Sequence, residues 1–558
     1  MRRRLHAVLG VVVVVLLLLG GMHLASASSG HSARGDQARD RRPNIVMVLM
    51  DDASLELLRT MPYARQMQRQ GATYTNSHVV DSLCCPSRTS IFTGRPPHQT
   101  GVLTNTAQNP QDPIGGYTAF ARHRNDERSF NVPLHRSGYT TAFIGKYING
   151  YDLSTNYQGK KLAPAKEPGW SEFGAVLGSG YPEWGFWSTR LDRRTGMNTL
   201  VHDARPPADA SVAERDRHYA TNVMSDRAID FLRRQRKAAK PYFLEVATYG
   251  PHAQMHRAYP GNPTFPSAFA DRESATDPAS GNCGTHSCAQ VRLRDLKGYD
   301  DPRGDNRPDY LHRDGTTSPA PAWNDNPVRL RAAKALKQYR DRVRMVQSID
   351  RMLGRIRNAV GPNTYVVLTS DNGYHLGQLR LNGGKGTPYD FDTRVPLVVA
   401  GPGVPQGRRS QFVSNIDLAP TFERMAGLKV PGSVSGVSFL DSLKDPAATG
   451  QRRFAFFDHT WAPSERGEVD GDKASHSVIG QIPSYIGVRG ARGLLVRFDL
   501  DDSPRRVRYA WELYDYRAGF EKTNVFARDH RKPWARELMR RLRTWDDCAP
   551  ARCRAAAR

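Results

Sequence analysis

The chain has 558 residues, beyond the roughly 250–300 at which one core stops growing, so several domains or one large α/β domain with an appendage are expected. Hydrophobic residues at 39%, with 48 Gly and 37 Pro, supply a sizeable core and exclude a disordered chain, a collagen, a coiled coil and a multi-span membrane protein. Lys and Arg number 80 against 55 Asp and Glu, and the net charge of +25 suits either an anionic partner or an arginine-rich solvated surface.

At the N-terminus, Arg2, Arg3 and Arg4 precede an apolar run from Ala7 to Leu19, and Ala25-Ser26-Ala27 offers small residues for cleavage. This is the layout of a secretory signal peptide over residues 1–27, with a run short for a stable membrane span; an uncleaved anchor is the alternative. Residues 28–42 are polar and read as a disordered tether. Export removes nucleic acid as a partner and places the protein outside the cell or on its envelope. No Asn-x-Ser/Thr sequon occurs, so a bacterial exported protein is the simplest reading.

Five apolar runs follow, each ending in polar or turn-forming residues. Asn44–Met50 runs into Asp51-Asp52, Thr140–Ile144 into Gly145-Lys146, and Tyr242–Ala247 towards Tyr249-Gly250-Pro251-His252. Thr364–Ser370 runs into Asp371-Asn372-Gly373, and Val395–Ala400 into Gly401-Pro402-Gly403. Continuous runs of this kind predict strands buried on both faces, hence a parallel sheet. The clearest helical pattern spans Val328 to Asn358, where Tyr339, Val343, Val346, Ile349, Leu353 and Ile356 keep a helical period. Open α/β sheets bind ligands at the carboxyl ends of their strands, so the active site is expected where four runs deliver Asp, Lys, His and Asn.

Residues 261–327 keep no period and read as a loop insertion beside the site. The composition shifts near residue 445, dividing a catalytic domain over 43–445 from a C-terminal subdomain over 446–558. In the latter, Arg453–Phe457, Tyr485–Val488, Leu494–Phe498 and Tyr509–Tyr514 predict a small antiparallel sheet, followed by a helix from Trp534 to Trp545. Cys283-x4-Cys288 and Cys548-x4-Cys553 suit short-range disulfides; zinc is the weaker alternative, since no His stands at ligand spacing.

Asp51, Asp52, Asp371 and Asn372 make a set of hard oxygen ligands suited to Ca²⁺ or Mg²⁺. Adjacent acids at a strand end repel unless a cation lies between them. Taken singly, Asp52 reads as a helix cap and Asp371-Asn372-Gly373 as a turn; taken together, at the ends of two buried strands, they favour metal. The run Leu83-Cys84-Cys85-Pro86-Ser87-Arg88 reads as a helix start, with Cys84 ahead of free backbone N–H groups. Such a place lowers a thiol's pKa and suits a nucleophile; a buried structural pair is the alternative.

Cys84-Cys85-Pro86-Ser87-Arg88, followed by Thr93-Gly94, closely resembles the signature motif of the sulfatase family. The resemblance continues through Asn44-Ile45-Val46, Gly145-Lys146-Tyr147, Pro251-His252, Ser370 to Gly377, Arg394 to Leu397, Asp417 to Thr421 and Glu512 to Asp515. It implies an α/β fold of the alkaline-phosphatase-like type: a sandwich with a large mixed, mostly parallel sheet plus a small C-terminal antiparallel sheet. It implies that a formylglycine-generating enzyme oxidises Cys84 to formylglycine (3-oxoalanine), whose hydrate attacks sulfur. One divalent cation, Ca²⁺, would sit on Asp51, Asp52, position 84, Asp371 and Asn372. Lys146, Lys385 and Arg88 would offset sulfate charge, and His252 would protonate the leaving alcohol. Many family members carry His two residues after the matching Lys; Ile148 stands here, so Asn149 or His375 is the alternative second base. The double Cys, Gly-Lys-Tyr and Gly-Tyr-His-Leu-Gly look most like the branch acting on glucosamine 6-sulfate, so the expected substrate is a sulfated carbohydrate of the N-acetylglucosamine 6-sulfate type. Alternatives are a phosphate or phosphonate ester hydrolase of the same superfamily and a catalytically dead polyanion-binding protein.

Overall fold

Strand β1 (Asn44–Met50) shows why the main sheet is covered on both faces. Its Ile45, Met47 and Leu49 enter one buried core, and the intervening Val46, Val48 and Met50 enter another. The first core takes Ile91, Phe92 and Phe422 from the Cys84–Thr93 and Leu418–Met425 helices. The second takes Met224 and Leu232 from the Ala220–Gln235 helix, and Tyr339, Val343 and Ile349 from the Ala332–Ala359 helix. The result is a three-layer α/β sandwich. This computed structural model describes residues 40, 42–106, 113–153, 161–301, 307–323, 330–449, 452–460, 482–500, 509–519, 521 and 523–558. The expected signal peptide and most of the tether lie outside the described residues, as does the start of the helix expected from Val328.

The further strands are β2 (Ala72–His78), β3 (Thr140–Lys146), β4 (Glu172–Val176), β5 (Phe186–Asp192), β6 (Met197–Asp203), β7 (Tyr242–Ala247), β8 (Asp309–Leu311) and β9 (Thr317–Pro319). They are followed by β10 (Thr364–Ser370), β11 (Leu397–Ala400), β12 (Gly407–Ser414), β13 (Ala455–His459), β14 (Tyr485–Arg489), β15 (Gly493–Asp499) and β16 (Tyr509–Asp515). The large sheet has the order β12-β2-β11-β10-β1-β7-β3-β4-β5-β6, with β10, β1, β7, β3 and β4 mutually parallel. One expectation fails: β11 runs antiparallel to β10. The chain lays down its 371–396 segment at the carboxyl end of β10 and re-enters from that end, and the four-residue Asp390–Thr393 helix is too short to cross back.

The second sheet, β13-β14-β15-β16-β8-β9, is antiparallel throughout. Its strands β8 and β9 come from the 261–327 stretch, and β8 pairs with β16 through Tyr310 and Ala510. Cys283–Cys288 and Cys548–Cys553 are disulfides, while Cys84 and Cys85 are buried and take part in neither. Among the described residues, no helix is long and apolar enough to cross a membrane.

Candidate active site

Strands β1 and β10 end in register, Met50 opposite Ser370, so Asp51 and Asp371 emerge side by side. Asp52 turns the chain at once, with φ of 63° in the left-handed region that Asp tolerates better than most residues, and its N–H donates to Asp371 Oδ1 at 3.1 Å. The Cys84–Thr93 helix lies against this edge with every residue buried. Its first residue delivers Cys84 Sγ to 3.2 Å from Asp51 Oδ1.

Three cations converge on the same point. Lys385 Nζ donates to Cys84 Sγ at 2.8 Å and to Asp52 Oδ1 at 2.7 Å. Lys146, the last residue of β3, donates to Asp51 Oδ2 at 2.5 Å. Arg88, one helical turn after Cys84, donates from Nε to Asp371 Oδ2 at 2.7 Å and from Nη1 to the Lys146 carbonyl at 2.6 Å. His252 follows β7 and places Nε2 3.6 Å from Asp52 Oδ2, with Nδ1 against the Ala253 carbonyl at 2.6 Å. All of these side chains are buried.

Burial would raise the Asp51 carboxyl, but Lys146, then His252 and Arg88, hold it below its usual range. Burial likewise opposes charge on Lys146, yet Asp51 beside it prevails and keeps the ammonium protonated. The Cys84 thiol behaves opposite to the sequence expectation. Burial first, and the neighbouring Asp51 carboxylate second, push its pKa well up. A helix start with free N–H groups does not lower a thiol that is fully buried and faces a carboxylate.

The donor set fits a hard divalent cation. Asp52 Oδ2 and Asn372 Oδ1 are buried without a hydrogen-bond partner, although Asn372 Nδ2 donates to Asp52 Oδ1 at 2.6 Å. Orphaned acceptors beside two further carboxylates are costly unless a cation completes them. One ligand atom each from Asp51, Asp52, Cys84 and His252 lies within 4.8 Å of the others, so His252 joins a cluster in which the sequence reading had not placed it as a ligand. Asp371 contributes through Arg88 and the Asp52 N–H.

His375 sits apart from these contacts. Its Nδ1 faces both oxygens of Asp392 at 2.9 and 3.0 Å, while Nε2 is buried without a hydrogen-bond partner. Ile148 packs into the aromatic core beside Tyr147, and Asn149 gives its carbonyl to the Tyr117 N–H at 2.7 Å. Three neighbours of the site escaped the sequence reading. The Tyr181 ring has its centroid 5.0 Å from Lys146 Nζ and packs at a tilt against His252 with ring centroids 4.7 Å apart; the Tyr249 ring flanks the same lysine at 5.9 Å. Arg342 donates to the Asp52 carbonyl and to Ser54 Oγ. An arginine in the apolar stripe of Tyr339, Val343 and Val346 was the one local signal available.

Comparison with known proteins matches this architecture to sulfatases. The sulfatase family profile covers residues 43–428, and that of the N-sulphoglucosamine sulphohydrolase C-terminal region covers 384–547. A Drosophila melanogaster protein named extracellular sulfatase SULF-1 homolog is 29% identical over 79% of this chain, which spans only 35% of that protein. The N-acetylglucosamine-6-O-sulfatase of Bacteroides thetaiotaomicron is 26% identical over 93% of this chain and 89% of its own. A solved structure, in complex with its substrate D-glucosamine-2-N,6-O-disulfate, superposes with a TM-score of 0.60 at 21% identity, covering 91% of this chain and 98% of the other. The fold is thus alkaline-phosphatase-like, a large mixed sheet with a separate antiparallel one. The chain belongs to the sulfatase family.

Proposed function

We propose that this protein hydrolyses sulfate esters of a carbohydrate, of the N-acetylglucosamine 6-sulfate type. The observation that carries the reading is Cys84 Sγ held between Asp51 Oδ1 and Lys385 Nζ at the buried start of a helix. Family membership adds a formylglycine at position 84 and one divalent cation, which would supply the nucleophilic hydroxyl and its charge compensation. Ca²⁺ suits the all-oxygen set of Asp51, Asp52, Asp371 and Asn372 around position 84.

The chain's own residues do the rest. Lys146 and Lys385 lie beside carboxylates and present N–H donors to an anionic sulfate entering the cluster. Arg88 fixes the Asp371 carboxylate and the end of β3, which holds Lys146 in place. His252 Nδ1 is held by the Ala253 carbonyl, which leaves Nε2 facing the cluster to give a proton to the leaving alcohol. Tyr181 closes the side of the site over Lys146 and His252.

The sugar assignment rests on the name of the Bacteroides relative and on the substrate of the solved structure. Export through residues 1–27 and maturation by a formylglycine-generating enzyme complete the reading. Mass spectrometry of the peptide holding Cys84 should show an aldehyde at 84 and intact sulfur at 85. Purified protein should release sulfate from N-acetylglucosamine 6-sulfate much faster than phosphate from the matched phosphate ester. A fully active preparation with an unmodified thiol at 84 would overturn the mechanism, and faster phosphate release would overturn the substrate class.

A further inference from the structure

A second cluster of metal-ligating side chains forms where the C-terminal end of the chain meets the short Pro97–Thr100 helix. His98 Nδ1 faces Asp458 Oδ2 at 2.5 Å, and the other Asp458 oxygen accepts from Trp545 Nε1 at 2.6 Å. A carboxylate fixed in this way orients the imidazole and leaves Nε2 as the nitrogen facing outward. That Nε2 lies 3.3 Å from the Cys548 carbonyl oxygen and 3.9 Å from Cys548 Sγ. Cys553, the disulfide partner of Cys548, accepts from Gln99 Nε2 at 3.0 Å. One ligand atom from each of His98, Cys548 and Cys553 lies within 4.8 Å of the other two.

These distances suit a soft cation. Tetrahedral zinc, with Zn–N near 2.0–2.1 Å and Zn–S near 2.3 Å, holds N and S ligands about 3.5 Å apart. The four-residue gap between the two cysteines is also within the range that zinc sites use. The sequence weighs against zinc because no His stands at ligand spacing; the fold brings His98 across 450 positions to Cys548.

We propose that His98, Cys548 and Cys553 form a dithiol-gated zinc site, closed while the cysteines are joined and able to hold one Zn²⁺ once they are reduced. A small dithiol supplies the two electrons. Its thiolate attacks one disulfide sulfur, the protein S–S bond breaks, and the mixed disulfide resolves as the reductant closes into its own cyclic disulfide. The protein keeps two thiols. Zn²⁺ then replaces the two thiol protons and the proton that His98 Nε2 directs at the Cys548 carbonyl, all three released to solvent, while Asp458 holds the proton on Nδ1. The site stands independently of the proposed sulfatase activity, since none of its residues touches the Cys84 cluster. The Cys283–Cys288 pair is an internal control: His286, between its cysteines, turns Nδ1 to the Thr285 hydroxyl at 2.7 Å.

The test uses the whole protein, treated with dithiothreitol, desalted under nitrogen, given ZnCl₂ and desalted again, beside an untreated sample. The reduced protein should retain a single additional zinc, and His98→Ala and Cys553→Ser should each lose it. Asp458→Asn should weaken retention by about 10–100-fold. Zinc should block alkylation at Cys548 and Cys553 but leave reduced Cys283 and Cys288 open, and Co²⁺ should give a thiolate-to-metal absorption band. Equal zinc in reduced and untreated protein, or an undiminished gain in His98→Ala, overturns the proposal. Should the variants fail to fold, alkylation mapping of the wild-type chain decides: protection at Cys283 and Cys288 alone, or nowhere, overturns it.

Discussion

Asp417 and Asp371 both face a buried arginine, yet their surroundings end in different states. Asp417 accepts two bonds from Arg452 at 2.7 Å, one on each oxygen, and its remaining acceptor capacity goes to the Ser414 and Val437 N–H groups at 2.8 and 2.7 Å. Everything that pair offers is used, and it ties the turn before the Leu418–Met425 helix to the chain entering β13. Around Asp371, three carboxylates meet Arg88, Lys146 and Lys385, and still Asp52 Oδ2 and Asn372 Oδ1 find no hydrogen-bond partner. A closed ion pair is a latch between two sheets. An ion cluster with acceptors left over is a place prepared for something else, and it concentrates unfavourable electrostatics that only a ligand relieves.

The sharpest way to break this contrast is to mutate one member of each. Asp52→Ala should lower sulfate release by about three orders of magnitude, since removing several kcal/mol of charge stabilisation has that effect on a rate. Its melting temperature should stay near that of the parent. Arg452→Ala should do the reverse. Leaving Asp417 buried and unpaired should cost about 3–5 kcal/mol in denaturant unfolding, while turnover per folded molecule is kept. If Asp52→Ala destabilises as much as Arg452→Ala, the open cluster is a latch too.

A gentler probe is ligand linkage. Ca²⁺ at a hundredfold its dissociation constant should stabilise the protein by about 2.7 kcal/mol, and Asp52→Ala should abolish that gain. Chelation should lower activity in parallel. A melting curve indifferent to Ca²⁺ in the parent would remove the cation from the account.

The smallest effect concerns Glu245, which lies in the middle of β7 with both carboxylate oxygens lacking a hydrogen-bond partner. Burial raises its pKa to about 8, against a smaller pull downward from Arg88. The folded state therefore holds a proton that the unfolded chain, titrating near 4.5, gives up earlier. Stability from this group is full below the unfolded value and is lost as pH rises towards the folded one. Glu245→Gln should flatten that decline, so its advantage in melting temperature over the parent should grow from pH 5 to pH 8. A constant difference across that window would show that the carboxyl is ionised throughout.

Much of this was legible in the residues. Asn44–Met50, Tyr242–Ala247 and Thr364–Ser370 are strands with the limits their apolar runs suggest, because a strand buried on both faces takes a near-continuous apolar run, broken in these three only by residues such as Glu245 and Thr369. Asp51, Asp371 and Lys146 reach one edge because parallel strands point their carboxyl ends the same way. Less legible was anything that depends on what lies opposite. Val395–Ala400 has the composition of a parallel strand and runs antiparallel, since direction is set by the connection and not by the strand. The three-residue strands β8 and β9 have no pattern of their own and exist because β16 offers β8 an edge and β8 in turn offers one to β9.

The amino-acid sequence by itself determined the strands, the helical faces and the residue types gathered at the sheet edge, since burial and periodicity are properties of neighbours in the chain. Only the tertiary structure decided the state of those residues. Cys84 is held towards its protonated form by burial first and by Asp51 3.2 Å away second, and Tyr181 matters because it stands over Lys146. Asp52 is left with an unused oxygen because its nearest cation takes the other one. Distance and desolvation set each of these energies, and both are fixed by residues far apart in the sequence.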